Sequence, residues 1–544
     1  MAEQVIPHPK RATPPDRWLR VARATSDDRP RPRWHRPATV IALLSVLAGA
    51  SVLLRLEGLH TWFWMDEGIS VGISSHPLAE IPGLLRQDGS PPLYYILLHG
   101  WMRLFGSSPT STHALSLLMA VGMVPVSYWA ARSLFGARAG WMAAGMIAIS
   151  PYLSDYSTET RMYTMVALLA LVTTAAFVHA FAFRRRRYLP VFIASLTLLL
   201  YTHNWGLYLG LAAAVAVGPC FLAATDRALV LRDAAVAFGV AAVLILPWVP
   251  TLLFQARHTG APWSPTPTVR DMFSAMAQIM GDVHERTLVA LILGAGGVIG
   301  RLVLRPRTRD GSVALALVVI VAVTLGAGWV ASQVKPAWSP RYFVVFFPAV
   351  VLLAALGLSR AGKLGLVALA MIVLFWVEPL GRLTGQRPVM RLDAKAIDRS
   401  LADAVAPELR ANDVVVAMQM EELPVLHHYL RRDLRFATTS GVVADPAVAD
   451  WSGALERSRT ATPQDGLTPL LDGMVVGNRI LLVCARDLEQ APDVPWFRLM
   501  GVHCAQWRAG LAADRRFVSR PVDALRGLGQ EAAELTLLFE KTSP

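Results

Sequence analysis

Apolar residues gather in eleven long runs over the first two thirds of the chain. They lie at approximately 38–55, 113–132, 139–153, 162–183, 189–203, 206–224, 233–254, 287–304, 313–333, 342–359 and 364–380. A helix needs roughly 20 mostly apolar residues to cross a bilayer, so these runs are predicted to be membrane spans. The runs at 139–153 and 189–203 are short and would extend into their flanks. Residues 91–105 are also apolar, but His99 and Arg103 interrupt them. That stretch reads either as a twelfth span or as an interfacial helix in the membrane plane.

The polar positions between the runs arbitrate. With the N-terminus in the cytoplasm and 91–105 not spanning, every inner loop is basic. These loops hold Arg132 and Arg138; Arg184, Arg185, Arg186 and Arg187; Arg227 and Arg232; Arg301 to Arg309; and Arg360 with Lys363. A twelfth span would turn the four-arginine run outward, against the positive-inside bias. The pattern predicts a multi-pass protein of the plasma (inner) membrane with eleven spans. The outward segments are then 56–112, 154–161, the His203/Asn204 turn, 255–286, 334–341 and everything after 381. Residues 1–37 form a basic, Pro/Arg-rich cytoplasmic tail, expected to be disordered and to touch anionic lipid. The tail is too long and polar before the first run for a cleavable signal peptide.

The periodicity changes after residue 384. Val414 to Met418 and Ile480 to Val483 are short apolar runs of buried-strand type, Ala394 to Leu409 has helical spacing, and Pro424 to Leu430 could open another helix. Residues 385–544 therefore read as a soluble, extracytoplasmic α/β domain. Cys484 and Cys504 fall in an oxidising compartment on this topology, where a disulfide and two separate buried thiols are both open.

Composition supports this division. Of 544 residues, 54% are hydrophobic and 17% charged, and the mean hydropathy is +0.42. Soluble domains carry about 25% charged residues, so an ordinary soluble enzyme, a disordered chain and a collagen-like fibre are all excluded. Three cysteines exclude a disulfide scaffold or a Cys-rich zinc module. The net charge of +13 raises the question of nucleic acid. However, residues 385–544 hold 19 basic and 21 acidic side chains, which leaves 33 and 18 in residues 1–384. The excess lies in the tail and inner loops, without the basic-aromatic groove of a nucleic-acid binder.

Ionisable groups at a membrane face are costly and call for a reason. The first outward loop (56–112) reads Thr61-Trp62-Phe63-Trp64-Met65-Asp66-Glu67-Gly68, two carboxylates behind an aromatic cluster. Such a pair can be a helix cap; shielded at the membrane face, it can also supply a general base. Further on, Asp88 sits in a Pro-anchored turn and His99 on the half-apolar helix. The second outward loop carries Asp155, Glu159 and Arg161. Glu159 and Arg161 either pair with each other or serve a phosphate and its counter-charge, since the planar arginine fork suits phosphate oxygens. His203 lies in the turn Tyr201-Thr202-His203-Asn204-Trp205, where a packed interfacial histidine is the plainer reading. Arg341 opens a helix on the outer face, where the positive-inside bias does not explain it and a bound anion would.

The acids, arginines and histidine thus collect at one face. No Walker-type loop or dinucleotide fingerprint is present. An outward site lacks access to cytoplasmic sugar nucleotides, so a membrane-carried donor such as a polyprenyl phosphate fits the placement.

Asp66-Glu67, Ser90-Pro91-Pro92-Leu93-Tyr94-Tyr95, Tyr156-Ser157-x-Glu159-x-Arg161-Met162-Tyr163, Tyr201-Thr202-His203 and Arg341-Tyr342 occur in that order. The set resembles the glycosyltransferase family 39-like proteins of the GT-C superfamily. These include the dolichyl- and polyprenyl-phosphate-mannose mannosyltransferases and the aminoarabinose transferase that modifies lipid A. The resemblance covers roughly residues 38–380, as a GT-C transmembrane catalytic domain (38–384); Thr158 and Thr160 depart from the Gln and Ala of many relatives. It implies an inverting transferase that takes a sugar, mannose first and a pentose second, from a polyprenyl-monophosphate donor. The acceptor would be a glycolipid, polysaccharide or protein. By the same resemblance Asp66 is the base and Glu67 orients the acceptor or Asp66. Arg161 and Arg341 hold the lipid phosphate with His203 and Tyr342 nearby, and Glu159, Asp155, Asp88 and His99 are candidates for acceptor or metal contacts. Some relatives bind a divalent cation near these acids, although no compact ligand spacing is visible here. A lipid-linked sugar flippase or transporter, or a non-catalytic envelope-assembly subunit, is the alternative. A transporter should place its ionisable groups near the midplane, often in inverted repeats.

Overall fold

A computed structural model describes residues 37–281, 285–381, 390–431, 433–485, 493–528 and 534–544. The expected tail lies outside the described residues up to residue 36. From Leu47 to Pro544 the chain forms one compact unit.

The protein is mostly helical. Among the described residues six helices are long and apolar enough to cross a membrane: Pro109–Phe135, Tyr163–Ala182, Gly206–Ala223, Arg227–His258, Arg286–Val303 and Arg309–Val334. Pro37–Leu53, Ala137–Ile149, Phe347–Arg360 and Gly362–Trp376 are shorter apolar helices, and Leu189–Leu200 is another apolar helix of 12 residues. All eleven predicted runs are thus helical, and six of them reach spanning length.

Proline accounts for two of the shortfalls, because it lacks the N–H an interior helical position needs. The run predicted at 139–153 breaks at Ser150-Pro151. There the Ser150 hydroxyl accepts from the Leu153 N–H at 3.2 Å and caps a new helix, Pro151–Ser157. The run predicted at 342–359 begins as a 3₁₀ segment, Pro340–Val345, and becomes α-helical only at Phe347, with Pro348 in the first turn. The apolar stretch 91–105 forms the helix Leu93–Phe105. Thirteen residues rise about 20 Å, short of a hydrocarbon core of about 30 Å.

The C-terminal region contains a six-stranded sheet: β1 (Val414–Ala417), β2 (Arg435–Thr438), β3 (Gly441–Val442), β4 (Arg479–Val483), β5 (Phe517–Arg520) and β6 (Thr536–Lys541). The order is β3-β2-β1-β4-β6-β5, with β1 parallel to β2 and β4 and the other pairings antiparallel. Side chains alternate across a strand. Val415, Ala417, Leu481 and Val483 accordingly pack with Leu401, Val405 and Leu426 on one face. Val414, Val416, Ile480 and Leu482 pack with Leu470, Trp507 and Leu511 on the other. Cys484, just past β4, is disulfide-bonded to Cys504 on the helix Pro495–Ala513, with Cα atoms 5.6 Å apart.

This region packs directly on the first loop. The helix Met65–Ser75 presents Gly68 and Gly72, one turn apart, to its partner segments. A Cβ at Gly68 would lie 2.7 Å from the Val425 backbone nitrogen, and one at Gly72 would meet the Ala447 carbonyl. Only glycine allows that approach. The Tyr429 hydroxyl accepts from the Phe63 N–H at 2.7 Å, and Phe63, Val71 and Val425 form a small core between the two parts.

Candidate active site

The helix Met65–Ser75 starts after Trp64, whose extended backbone (φ −104°, ψ 174°) ends the preceding loop. Asp66 and Glu67 therefore occupy the first helical turn, where negative charge meets the positive end of the helix dipole. Successive helical residues point about 100° apart, and the two carboxylates take different environments.

Glu67 is fully buried. Its Oε1 accepts from the Thr160 N–H at 2.6 Å and from His113 Nε2 at 2.7 Å, and its Oε2 lies 3.1 Å from Lys395 Nζ. Burial alone would raise this carboxyl. Lys395 and His113 outweigh burial and bring it down to about 2. Lys395 Nζ also donates to the Thr158 carbonyl at 3.0 Å. A cation from the C-terminal region thus ties the loop 56–112 to the segment 154–161.

Asp66 faces the other way, into a cavity of about 340 Å³ that it lines together with Asp88, Arg161, His203, Arg341 and Tyr342. Arg341 donates through Nη1 to Asp66 Oδ2. Its guanidinium carbon lies 4.8 Å from the Trp263 ring centre and 5.7 Å from that of Trp64, within cation–π range. Arg161 Nη1 donates to the Asp66 carbonyl at 3.2 Å and to Ser70 Oγ at 3.0 Å. The Nε atoms of both arginines are buried without a protein hydrogen-bond partner. His203 Nδ1 accepts from the Trp205 N–H at 3.1 Å, and the ring packs 5.0 Å from Tyr342. Burial first, then Arg161 and Arg341, hold His203 down at about 3. The imidazole is neutral, with Nε2 left as its donor. Asp88 ends the helix Ile81–Asp88, accepts from the Tyr95 hydroxyl at 3.4 Å, and is pushed up by burial against the opposing pull of Arg161.

Six of the ten sequence-predicted residues therefore line one cavity. The other four do not. Glu67 is enclosed as described, and Glu159 is buried, with its carbonyl accepting from Ser116 Oγ at 2.5 Å. Asp155 is exposed, and His99 donates from Nδ1 to the Ser74 carbonyl at 2.9 Å. Sequence reasoning missed His113, Lys395 and Trp263. A histidine at the start of an apolar run was a usable signal for His113. Lys395 carried none, because its partner is far away in sequence.

A divalent cation does not fit this donor set. The two carboxylates of the cavity are countered by Arg341 and Arg161, and among the described residues no group of three or more His, Cys, Asp or Glu is placed to hold a metal.

A helical fold with a C-terminal sheet region thus surrounds a cavity that sets an aspartate against two arginines. Residues 89–254 match the model of the dolichyl-phosphate-mannose-protein mannosyltransferase family. Among solved structures the chain is similar to ArnT from Cupriavidus metallidurans in the apo state. The identity is 17% over 84% of this chain and 95% of that one, with a TM-score of 0.56. It is similar also to the same protein bound to undecaprenyl phosphate, at 18% identity over 93% and 98% and a TM-score of 0.52. Comparison with curated proteins gives no match. The resemblance read from the ordered motifs is thus met by both the matched family and the fold.

Proposed function

We propose that this protein is an inverting glycosyltransferase that moves a sugar, mannose in the first instance, from a polyprenyl-monophosphate donor to an extracytoplasmic acceptor. The observation that carries the reading is the Asp66–Arg341 pair beside Arg161 in one cavity. The Asp66 carboxylate takes the proton of the acceptor hydroxyl. The freed oxygen attacks the anomeric carbon from the face opposite the phosphate, the bond from that carbon to the phosphate oxygen breaks, and the configuration inverts. Charge developing on the leaving phosphate is met by Arg161 and Arg341, whose buried Nε atoms remain available. Arg341 also links the two events. While it is paired with Asp66 the carboxylate is a poor base; a donor phosphate that draws Arg341 away frees Asp66 to accept a proton. Donor binding then arms the base.

The test is a donor titration with purified variants. Arg341→Ala should weaken donor binding by about 10- to 100-fold, as expected for loss of hydrogen bonds to a charged group. Arg341→Lys should lose less, because it keeps the charge without the fork. Intact donor affinity with weakened acceptor binding would move the arginine to the acceptor side.

The same reading includes eleven spans, a cytoplasmic N-terminus and an outward C-terminal domain. Its support is the basic content of every inner loop, including Arg184 and Arg186, which pair with the buried Asp233 at 3.2 and 3.0 Å. Impermeant thiol reagents should label Val475→Cys from outside and Arg185→Cys only after permeabilisation. The background is low because Cys220 is buried and the other two cysteines are bonded. Outside labelling at position 185 would sink the topology.

A further inference from the structure

The C-terminal region holds a second cavity, of about 240 Å³. It opens at the carboxyl ends of β1 and β2, where Met418 follows one strand and Thr439 the other. In sheets with parallel strands ligands bind outside that end.

Position alone does not make a site; the wall does. Ser458 lines the cavity, is 4% exposed, and its hydroxyl has no hydrogen-bond partner in the protein. A hydroxyl buried in that state is costly unless a ligand or water meets it. The charges on the wall cancel. Asp450 and Arg457 pair at 3.3 Å, and Arg457 also donates to the Ser452 carbonyl and, through Nη2, to the Asp450 carbonyl at 2.6 Å. Behind Trp496, which donates to Glu421 Oε1 at 3.2 Å, burial pushes Glu421 up to about 7. Among the described lining residues Arg457 is the one cation, and its charge is already paired with Asp450 rather than free for a phosphate or carboxylate. What remains is apolar surface from Met418, Met500 and Trp496 beside the hydroxyls of Thr439 and Ser458. That mixture matches a sugar ring, apolar on its faces and rimmed with hydroxyls.

The cavity also adjoins the catalytic one. Asp450 lines the former and its neighbour Trp451 the latter, and the Trp451 ring lies 5.8 Å from that of Trp496. We propose that this cavity binds one neutral sugar unit of the acceptor, removed from the hydroxyl that receives the new sugar. The word acceptor rests on the proposed function; the sugar site itself rests on the cavity.

The experiment is saturation-transfer NMR on the full chain in detergent. The probes are methyl α-mannopyranoside and methyl β-galactopyranoside, with mannose 6-phosphate as the charged comparator. Transfer is expected to a neutral glycoside, and it should persist in Arg341→Ala. It should vanish in Ser458→Leu, which fills the cavity, and binding should be about 2- to 10-fold weaker in Ser458→Ala, the loss of one neutral hydrogen bond. If the leucine variant does not fold, the alanine variant decides alone. Absence of transfer to either neutral glycoside, preference for the phosphorylated sugar, or a signal lost in Arg341→Ala but kept in Ser458→Leu would overturn the site. Turnover with a lipid-linked donor is measured separately. Sugar binding at Ser458 without any transfer would refute the transferase reading and leave the site standing, while transfer without that binding would do the reverse.

Discussion

Asp66→Asn should cut turnover by about 10²–10⁴-fold, the usual loss when a general base is removed, while donor binding stays within a few-fold of wild type. Asparagine keeps the shape of the side chain and an oxygen that can still accept from Arg341 Nη1, so the arginine stays where it is. The amide cannot take the acceptor proton. The backbone contacts of position 66, including its carbonyl's bond from Arg161, are unaltered by the change. The measurement is kcat with saturating lipid-linked donor, alongside a donor Kd and a thermal unfolding midpoint. Near wild-type turnover in a folded variant would leave Asp66 only its place in the first helical turn and end the base assignment. A collapse of donor affinity without loss of kcat would instead place the residue on the phosphate side.

Much of this site could be read from the sequence because one physical constraint governs it. Ionisable groups avoid the hydrocarbon, so residues at loop mouths on one membrane face are confined to a thin layer and have few places to go. Asp66, Asp88, Arg161, His203 and the adjacent pair Arg341-Tyr342 come from five separate segments, and that confinement brings them to one cavity. What could not be read was orientation. The resemblance gives Asp66 and Glu67 different roles, but the dipeptide itself does not say which one faces inward; a helix starting at Met65 turns them into different surroundings. The same limit applies to Glu159, which is buried away from the cavity that Arg161, two residues on, helps to line. In the C-terminal region β1 and β4 announced themselves as continuous apolar runs, because parallel central strands are covered on both faces. By contrast β5 was silent. It is an edge strand with one buried residue followed by three exposed ones, so it has no apolar run to notice.

The Lys395–Glu67 bridge should produce the largest stability effect in the protein. Lys395→Met removes one partner of a fully buried carboxylate and leaves its charge with His113 and the Thr160 and Trp64 N–H groups. Breaking a buried pair from one side costs about 3–5 kcal/mol, mostly the desolvation of the charge left behind. Adding Glu67→Gln to that variant removes the stranded charge, so the double variant should unfold at a higher temperature than Lys395→Met alone. The pH dependence has a definite sign. Glu67 is held at about 2, below its ordinary 4.5. Its stabilisation is therefore complete above about pH 4.5 and is lost as the pH falls towards 2. In Glu67→Gln that contribution to the acid limb should disappear. Turnover adds a readout that a purely structural bridge far from the chemistry would not move. Lys395 does not line the cavity that holds Asp66, but it fixes the helical turn that carries Asp66 against Arg341. Lys395→Met should therefore lower kcat at temperatures where the variant is still folded, and Lys395→Arg should recover part of both losses. An unfolding midpoint equal to wild type in Lys395→Met would mean that Glu67 does not depend on this cation. Normal kcat in a destabilised variant would confine the bridge to folding and remove it from the positioning of the base.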